Sequence, residues 1–402
     1  MNQSRMSFFT VLVSLVSSLP AFSNVNPLKQ ELRTQVEERK TDRNYTGDVI
    51  YTLMGRRFDD PFVNSRWGRA IIEFNMGLNY DTWLEADFSA SQLLTSGATS
   101  YQLGVTEAGP SSGLFLNEAS LTLKPLGDNM KLTGGVLNVS YGPIYSLFTA
   151  QAQAGANFNL NRKGESNFGQ SKINFDISQS IPTSAARGNI ITDEGTNPLL
   201  TLAVLSGELK NVDMGSRVRA SVTHYEYTDL STSTASDSQK TGSTVLGSKD
   251  FQFAYEFRGR EFALGFDQEV GLSHKIEWRG SALTNERAPS ENRDGWHQQV
   301  RYTRTFDKWK FIPSITQFRV ESDALPSSYS IGSYGFTNRV GYNVTLKFDF
   351  PKDRFNFFAG YTNANAIVSS DDIQQFTNSN LGTFQADREI FTLGAEVTYD
   401  IF

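Results

Sequence analysis

Charged side chains at every second position are the features of this chain best placed to do chemistry. Arg217 and Arg219 are two residues apart, and Lys275, Glu277 and Arg279 follow the same spacing. Residues i and i+2 of a β-strand point to one face, so each group would present its charges on one side of a sheet. Fixed charges of both signs act on ions and polar solutes through their field. The spacing therefore indicates electrostatic selection without bond-making chemistry.

The same alternation assigns a face to charges elsewhere in the chain. Between 335 and 350 the even positions are mostly apolar, which places Arg339, Lys347 and Asp349 together on the opposite face. The candidates for a polar, inward-facing surface are Glu85, Asp87, Arg217, Arg219, Lys275, Glu277, Arg279, Arg301, Arg339, Lys347 and Asp349. The simpler alternative is that these charges pair across strands and only stiffen the wall.

Acid–base or nucleophilic catalysis would depend on three histidines. His224 and His274 fall at positions of the apolar parity, and His297 falls at a polar position beside a loop. A catalytic His297 would need a serine or carboxylate within hydrogen-bond reach, and the nearby Glu291 and Asp294 fit a solvated rim better. Cysteine is absent, so the chain has no thiol nucleophile, cysteine metal site or disulfide. We predict that the chain is not an enzyme.

Metal, nucleotide and nucleic-acid sites have little support. The pairs Asp59-Asp60 and Asp371-Asp372 could offer carboxylate oxygens to Ca²⁺, but adjacent acids are common in loops. Gly134-Gly135 lacks a following helix and a phosphate-loop lysine. The net charge of -6, from 37 Lys+Arg against 43 Asp+Glu, gives no reason to expect a nucleic-acid partner. We predict no cofactor and no metal.

Strands with one apolar and one polar face would position the charges. In residues 390–402 the odd positions from Phe391 to Ile401 are apolar, whereas Thr392, Glu396 and Asp400 are polar. The pattern recurs from residue 45 onward, with short turns alternating against long Ser/Gly/Asn-rich connections. The predicted short turns are 80–82, 125–129, 210–213, 258–260, 307–308 and 351–353. The predicted long connections are 56–68, 91–113, 141–169, 228–248, 284–294, 322–334 and 369–387.

Residues 1–23 have the form of a secretory leader. Arg5 precedes an apolar run, and small residues end at Ser23, where we expect cleavage. About 379 residues would remain (402 minus 23), with a charge of about -7. Residues 24–44 could form a short periplasmic helix, since Leu28, Leu32 and Val36 are four apart, or a mobile segment. No later stretch approaches roughly 18 apolar residues, which excludes a helical membrane protein.

A secreted chain whose strands separate an apolar from a polar side predicts an all-β, antiparallel transmembrane barrel in the outer membrane of a diderm bacterium. Counting crossings over 45–402 predicts 16 strands, in a range of 14 to 18, with short turns in the periplasm. This count treats 260–283 as one strand, although a hairpin near 269–271 also fits, and needs one further strand between 141 and 198.

Aromatic residues beside the predicted short turns give a second signal. Tyr80 and Trp83, Phe257 and Phe262, Phe306 and Trp309, Phe348, Phe350, Phe355, Phe357, Tyr399 and Phe402 would form a periplasmic girdle. Such rings belong at the boundary between lipid and water. A secreted β-sandwich would also alternate, but it has no reason to gather aromatic residues at one set of turns.

Two segments resemble known classes of outer-membrane protein. The terminal Phe402 resembles the signal that the barrel-assembly machinery reads, although Ile401 keeps the apolar register. Residues 117–142, with Glu118-Ala119 and a glycine strand ending in Tyr141-Gly142, resemble the front part of phosphate-selective and related substrate-specific porins. This resemblance implies a trimer of 16-stranded barrels and an infolded loop, for which 141–169 is the candidate.

These observations predict a porin that passes small hydrophilic solutes or ions through a water-filled lumen. Its other partners would be outer-membrane lipid, the barrel-assembly machinery and two further copies of the chain. The alternative is a structural or adhesive surface barrel with a closed lumen and outward loops. Because the chain is acidic overall, a preference for anions does not follow from the resemblance.

Overall fold

A computed structural model of the chain describes residues 45–59, 63–80, 83–101, 106–108, 113–139, 141, 144, 146–148, 151–166, 169–182, 197–246, 252–368 and 387–400. The predicted leader (1–23), the segment 24–44 and the last two residues lie outside the described residues, as do Asp60, Asp371 and Asp372. The expectations placed on them stay predictions.

Sixteen antiparallel strands form a closed ring. Each strand pairs with the next, and β1 pairs with β16 from Asp48 opposite Asp400 to Asp59 opposite Glu389. The strands are β1 (Tyr45–Asp59), β2 (Val63–Tyr80), β3 (Leu84–Tyr101), β4 (Gly113–Leu123), β5 (Met130–Val139), β6 (Gln151–Ser166), β7 (Gly169–Ile181), β8 (Leu199–Asn211), β9 (Ser216–Thr228), β10 (Phe257–Val270), β11 (His274–Asn285), β12 (Asp294–Thr305), β13 (Lys310–Val320), β14 (Arg339–Phe350), β15 (Phe355–Ala366) and β16 (Arg388–Asp400). The predicted 16-stranded barrel is confirmed.

Shorter elements lie in the connections. Thr106–Ala108 pairs with β3, Pro125–Asp128 precedes β5, and Val245–Leu246 pairs with Gln252–Phe253 in the β9–β10 loop. Helix α1 (Thr232–Thr241) lies in that loop, and the 3₁₀ turns Ser327–Tyr329 and Gly332–Tyr334 lie in the β13–β14 loop. No helix among the described residues has the length and apolar character needed to cross a membrane.

The connections form two sets at opposite ends of the ring. Those that follow even-numbered strands are short, such as 271–273 and 351–354, and mark the periplasmic end. Those that follow odd-numbered strands are mostly long, such as 229–256 and 321–338, and mark the outer end. The connection 60–62 is an exception, because β1 and β2 extend through most of the predicted 56–68 loop.

Other predicted boundaries are also wrong. The predicted 91–113 connection starts too early, because β3 continues to Tyr101. Residues 260–283 form two strands, β10 and β11, joined by a turn in which Gly271 has φ +67°, a conformation that favours glycine. Residues 258–260, predicted as a short turn, belong to the outer end of β10. The further strand expected between 141 and 198 is β6, which takes up most of the predicted 141–169 loop and leaves 140–150 as the connection.

The alternation gives the wall two different surfaces. On β10, Phe262, Leu264 and Phe266 are exposed, whereas Glu261 and Asp267 on the other parity are buried inside the ring. Exposed apolar side chains of this kind face lipid in a bilayer, and a closed ring leaves no unpaired strand edge in the hydrocarbon. The barrel is therefore built to span a membrane.

Aromatic rings gather at the periplasmic end, as predicted. Tyr80 and Trp83 meet edge to face at 6.2 Å between ring centroids, and Phe306 stacks on Trp309 at 4.2 Å. Phe257 and Phe262 depart from the prediction. Phe257 lies at the outer end of β10 and is buried inside the ring, and Phe262 faces outward in the outer half of the same strand. Their assignment to the girdle followed from the wrong turn at 258–260.

Gly259 marks a close approach between β10 and β11. A Cβ added there would lie 1.8 Å from the Thr284 carbonyl oxygen and 2.8 Å from the Tyr225 hydroxyl. We expect Gly259→Ala to destabilise the barrel by about 1–3 kcal/mol, because the backbone must shift. Heat-induced loss of the compact band on electrophoresis would measure this. Gly134→Ala is the matched control, because a Cβ at Gly134 would meet nothing within 4 Å; equal stability of both variants would contradict the expectation.

Candidate functional site in the barrel interior

A cationic surface covers the inner face of β9–β12 near the periplasmic end. Asp267 is at its centre, with 2 % of its surface exposed. Arg217 donates to its Oδ2 through Nε at 2.7 Å, Arg219 Nη2 lies 3.0 Å from Oδ1, and Lys275 Nζ lies 3.8 Å from Oδ2. One carboxylate thus holds three cations in place.

The cations continue along the same surface. Lys275 pairs with Glu277 at 2.9 Å, Arg301 lies 3.8 Å from Glu277, and Arg279 donates through Nε to the side-chain oxygen of Gln299 at 2.9 Å. Five cations, Arg217, Arg219, Lys275, Arg279 and Arg301, therefore share the surface with three anions, Asp267, Glu269 and Glu277. We call this surface, with a net charge of +2 (5 minus 3), the basic wall.

Carboxylates cover the facing surface of the ring, on β16 and β1–β4. Seven of them have the inward parity there, namely Asp48, Glu73, Glu85, Asp87, Glu118, Glu396 and Asp400. Lys124 at the end of β4 lies 2.7 Å from Glu85. In a ring of 16 strands β1 faces β9 and β4 faces β12, so this acidic wall lies across the interior from the basic wall. Arg56 and Arg69 lie on the same strands nearer the outer end.

The structure thus brings eight of the eleven predicted candidates onto two facing surfaces. Glu85 and Asp87 lie on the acidic wall and the other six on the basic wall. Lys347 and Asp349 point inward on β14, between the two walls. Arg339 differs, since it lies at the outer end of β14 with 1 % of its surface exposed. Solvent does not reach it.

Several inward acids were not among the predicted candidates. Asp267 and Glu261 lie at odd positions of β10, whereas the outward Phe262, Leu264 and Phe266 lie at even positions. The alternation therefore did indicate that these two acids point inward. The same holds for Glu73, which alternates with Phe74 and its apolar neighbours.

The β5–β6 loop, whose described residues are 141, 144 and 146–148, folds into the ring and reaches the wall at β10. Glu261 accepts three hydrogen bonds there: from Ser146 Oγ at 2.6 Å, from the Leu147 backbone N–H at 2.9 Å and from Ser281 Oγ at 2.7 Å. Thr223 on β9 donates to the Tyr141 carbonyl oxygen at 2.6 Å. The loop is thereby fixed across part of the interior.

The β13–β14 loop also packs inward, and it joins the β5–β6 loop in a buried apolar cluster. Tyr329 stacks on Tyr227 with 5.3 Å between ring centroids, and Phe148 stacks on Tyr141 with 4.2 Å between them. The backbone of Phe148 forms an antiparallel β-bridge with Ser330. Inward side chains of the outer half of the wall complete the cluster, including Leu137, Leu200, Leu202, Phe318 and Val320. The outer half of the interior is therefore narrowed by packed loops, whereas the periplasmic half carries the facing charges.

Asp323 ties the β13–β14 loop to the β9–β10 loop. Its carboxylate accepts hydrogen bonds from the Thr244 backbone N–H at 2.9 Å and from Thr244 Oγ1 at 2.7 Å. Asn285 donates to its carbonyl oxygen at 2.8 Å. Burial raises the pKa of Asp323 from 3.8 to about 6, and the hydrogen bonds from Thr244 and Ser322 oppose this rise.

We expect acid to favour the packed arrangement of these two loops. If the loops separate, Asp323 is solvated and its pKa returns toward 3.8, so the packed form binds an extra proton between about pH 4 and about 6. This stabilisation is full below about pH 4 and is lost as the pH rises through about 6. At 1.36 kcal/mol per pKa unit it amounts to at most roughly 3 kcal/mol.

Closure events in single-channel records test this expectation. Closed intervals should lengthen as the pH falls from 7 to 5, and Asp323→Asn should abolish the change because asparagine does not titrate. Asp229→Asn is the control, since Asp229 is exposed at the start of the β9–β10 loop. A pH response that persists in Asp323→Asn would assign the proton to another group.

The histidines do not form a catalytic arrangement in the described residues. His297 is buried on β12, with Nδ1 3.1 Å from the Tyr334 hydroxyl and its ring edge-on to Tyr334. His274 contacts the Tyr302 hydroxyl through Nδ1, and His224 lies on the outward face of β9. Within the described part of the chain, no three His, Asp or Glu side chains group closely enough to hold a metal ion.

Comparison with known proteins identifies the fold. No protein-family model matches the chain, and no curated protein matches it. Among solved structures, Pseudomonas putida OprB at high pH is similar over 90% of this chain and 96% of that one, with 10% identity and a TM-score of 0.57. Salmonella typhi OmpF, in complex with daunomycin, is similar over 88% and 97%, with 12% identity and a TM-score of 0.48. The trimer form of Vibrio cholerae OmpT is similar over 89% and 100%, with 12% identity and a TM-score of 0.49.

The similarity to OprB extends over nearly the whole of both chains. The chain has the closed 16-stranded fold of the outer-membrane porins. Its apolar outer face and closed ring place it in the outer membrane of a Gram-negative bacterium.

Proposed function

We propose that the chain is a porin that lets small hydrophilic solutes or ions diffuse passively through a water-filled lumen. The observation that carries this proposal is the pair of facing charged walls in the periplasmic half of the interior. Charges of opposite sign across an aqueous passage set up a transverse field that screens solutes by charge and size. Sixteen strands enclose more space than side chains fill, which leaves room for water.

The β5–β6 loop is the proposed constriction. Its docking on Glu261 narrows the interior above the charged walls, so a solute would meet a size limit and a charge limit in succession. The proposed pore-lining residues are the members of the two walls, with Lys347 and Asp349 between them. Because the walls carry both signs of charge, they would act on cations and on anions.

Planar-bilayer recording of the purified protein tests the proposal. We expect stable conductance steps, and a reversal potential in a salt gradient whose sign reports which wall dominates. The absence of steps from correctly folded protein, shown by heat-resistant migration on electrophoresis, would overturn the porin proposal.

A surface barrel with a closed lumen is the second candidate, and one observation favours it. The buried cluster formed by the β5–β6 and β13–β14 loops occupies part of the outer half of the interior. If that cluster seals the passage, the folded protein would be silent in a bilayer and would bind a partner through its outer loops. The same recording therefore separates the two candidates.

The assembly of the protein completes the proposal. In this proposal the barrel-assembly machinery inserts the protein as a homotrimer that is surrounded by outer-membrane lipid. A leader is removed after Ser23. Cross-linking of the protein in intact membranes would test the trimer, and the N-terminal sequence of the mature protein would test the cleavage.

A further inference from the structure

The outward face of β1 and β2 carries an open groove near the outer end. Gly55 and Gly68 are direct cross-strand partners there, and two adjoining recesses of about 660 and 630 Å³ include both glycines. A Cβ at either glycine would meet nothing within 4 Å, and neither residue has a positive φ. Nothing in the packing or backbone of the described chain requires glycine at these positions. Their effect is to leave space on the lipid-facing surface.

Apolar side chains form the sides of this groove. Leu393 of β16 is the cross-strand neighbour of Gly55, and Leu94 of β3 is the neighbour of Ala70, below Gly68. Leu53 and Leu393 expose 64% and 55% of their surface. A flexible hydrocarbon chain can fill a groove with such sides. It then contacts apolar side chains that otherwise border a poorly filled space.

Two arginines stand at the outer end of the groove. Arg57 and Arg66 are direct cross-strand partners, one outward position above the glycine pair. Like charges placed directly opposite each other destabilise a strand pair. Arg57 forms an ion pair with Asp59, whereas the Arg66 side chain has no ion pair within the part of the chain that the structure describes. Among the described residues, only Arg57 of this pair has a carboxylate partner.

Other arginines on the outer rim are neutralised. Each of three outward-facing arginines has its own glutamate, in the pairs Arg258–Glu226 at 3.6 Å, Arg260–Glu286 at 3.4 Å and Arg319–Glu321 at 3.1 Å. Among the residues that the structure describes, the Arg57–Arg66 pair thus stands out on this surface by its lack of a second anion.

We propose that this groove binds a phosphate-bearing lipid of the outer leaflet, with the phosphate between Arg57 and Arg66 and one acyl chain lying over Gly55 and Gly68. The guanidinium fork matches phosphate oxygens, and a shared phosphate removes the repulsion between the two arginines. The groove runs from residue 57 to residue 53, about 13 Å along the strand at roughly 3.3 Å per residue. Charge at the rim and apolar surface toward the membrane centre match the polarity of an amphiphile.

Lipid binding by the refolded, lipid-free protein tests the proposal. Native mass spectrometry in detergent would compare phosphorylated lipid A with its dephosphorylated form. We expect one saturable phosphorylated lipid per barrel, bound roughly tenfold more tightly than the dephosphorylated one, as one or two charge-assisted hydrogen bonds would provide. The double variant Arg57→Gln/Arg66→Gln should lose this preference, and Gly55→Leu should weaken binding of both lipids.

Two matched variants test whether similar changes elsewhere on the outward surface also alter lipid binding. Arg260→Gln removes a neutralised rim arginine, and Ala282→Leu enlarges an exposed outward residue of β11, far from the groove; both should bind lipid like the original protein. Equal binding of the two lipids, or a preference that survives the double variant, would overturn the proposal. Loss of oligomer in Gly55→Leu with unchanged lipid binding would also overturn it and give the groove to a second copy of the chain. Because binding is measured without current, a silent barrel does not affect the outcome.

Discussion

Replacing Glu261 by alanine should release the β5–β6 loop and raise the single-channel conductance. The substitution removes the acceptor of three hydrogen bonds and leaves Ser146 Oγ, Ser281 Oγ and the Leu147 N–H without it. Net hydrogen bonds to a charged group are worth about 1.5–3 kcal/mol each, so the docked position of the loop should lose on the order of 3 kcal/mol or more. A loop held less firmly leaves a wider and more variable passage.

Conductance and current noise in planar bilayers measure this effect. Both should increase in Glu261→Ala, while the barrel keeps its heat-resistant migration. Glu226→Ala is the control, because Glu226 lies on the neighbouring strand, faces outward and contacts Arg258 at 3.6 Å. Unchanged conductance and noise in Glu261→Ala would mean that the β5–β6 loop does not limit the passage.

Replacing Asp267 by asparagine should shift the ion preference toward anions and destabilise the barrel. The net charge of the basic wall rises from +2 to +3, and Arg217, Arg219 and Lys275 lose their shared carboxylate. Breaking a buried pair costs about 3–5 kcal/mol, but these cations keep part of their contact with water. We therefore expect roughly 2 kcal/mol.

Reversal potentials in a salt gradient measure the change in preference, and thermal unfolding measures the loss of stability. Asp307→Asn is the control, because it removes the same charge from an exposed turn at the same end of the barrel. If the reversal potential of Asp267→Asn equals that of the control, the basic wall does not face the permeating ions.

The strands and the residues that point inward could be predicted because side chains alternate between the two faces of a strand in the folded barrel as well. A wall one residue thick must put one parity in lipid and the other inside, which is why Arg217 and Lys275 lie on the face opposite the exposed apolar side chains. Alternation alone could not decide between one long strand and a hairpin near 269–271, since the even positions face outward on both sides of the turn, at Phe266 and at Ile276.

The constriction depends on contacts that no local pattern encodes. Glu261 meets Ser146 across 115 positions of the chain, and Asp323 meets Thr244 across 79. The position of β6 within 141–198 could not be assigned for a different reason. Its inner face carries Asn157, Asn159 and Gly155, residues that are usual in loops, and only its outer face has the apolar side chains of a strand. Tertiary context overrode local propensity there.

The pairing of β1 with β16 has a consequence for how the protein folds. Thr52 and Glu396 touch across this seam although 344 positions separate them, so the ring is completed only after the last strand is available. Until then β1 presents an open edge to any other strand, which favours aggregation. Contacts between such distant residues also make folding slow, because the entropy of a long loop is lost before its contacts form. Deleting β16 should therefore give an aggregating sheet rather than a smaller barrel.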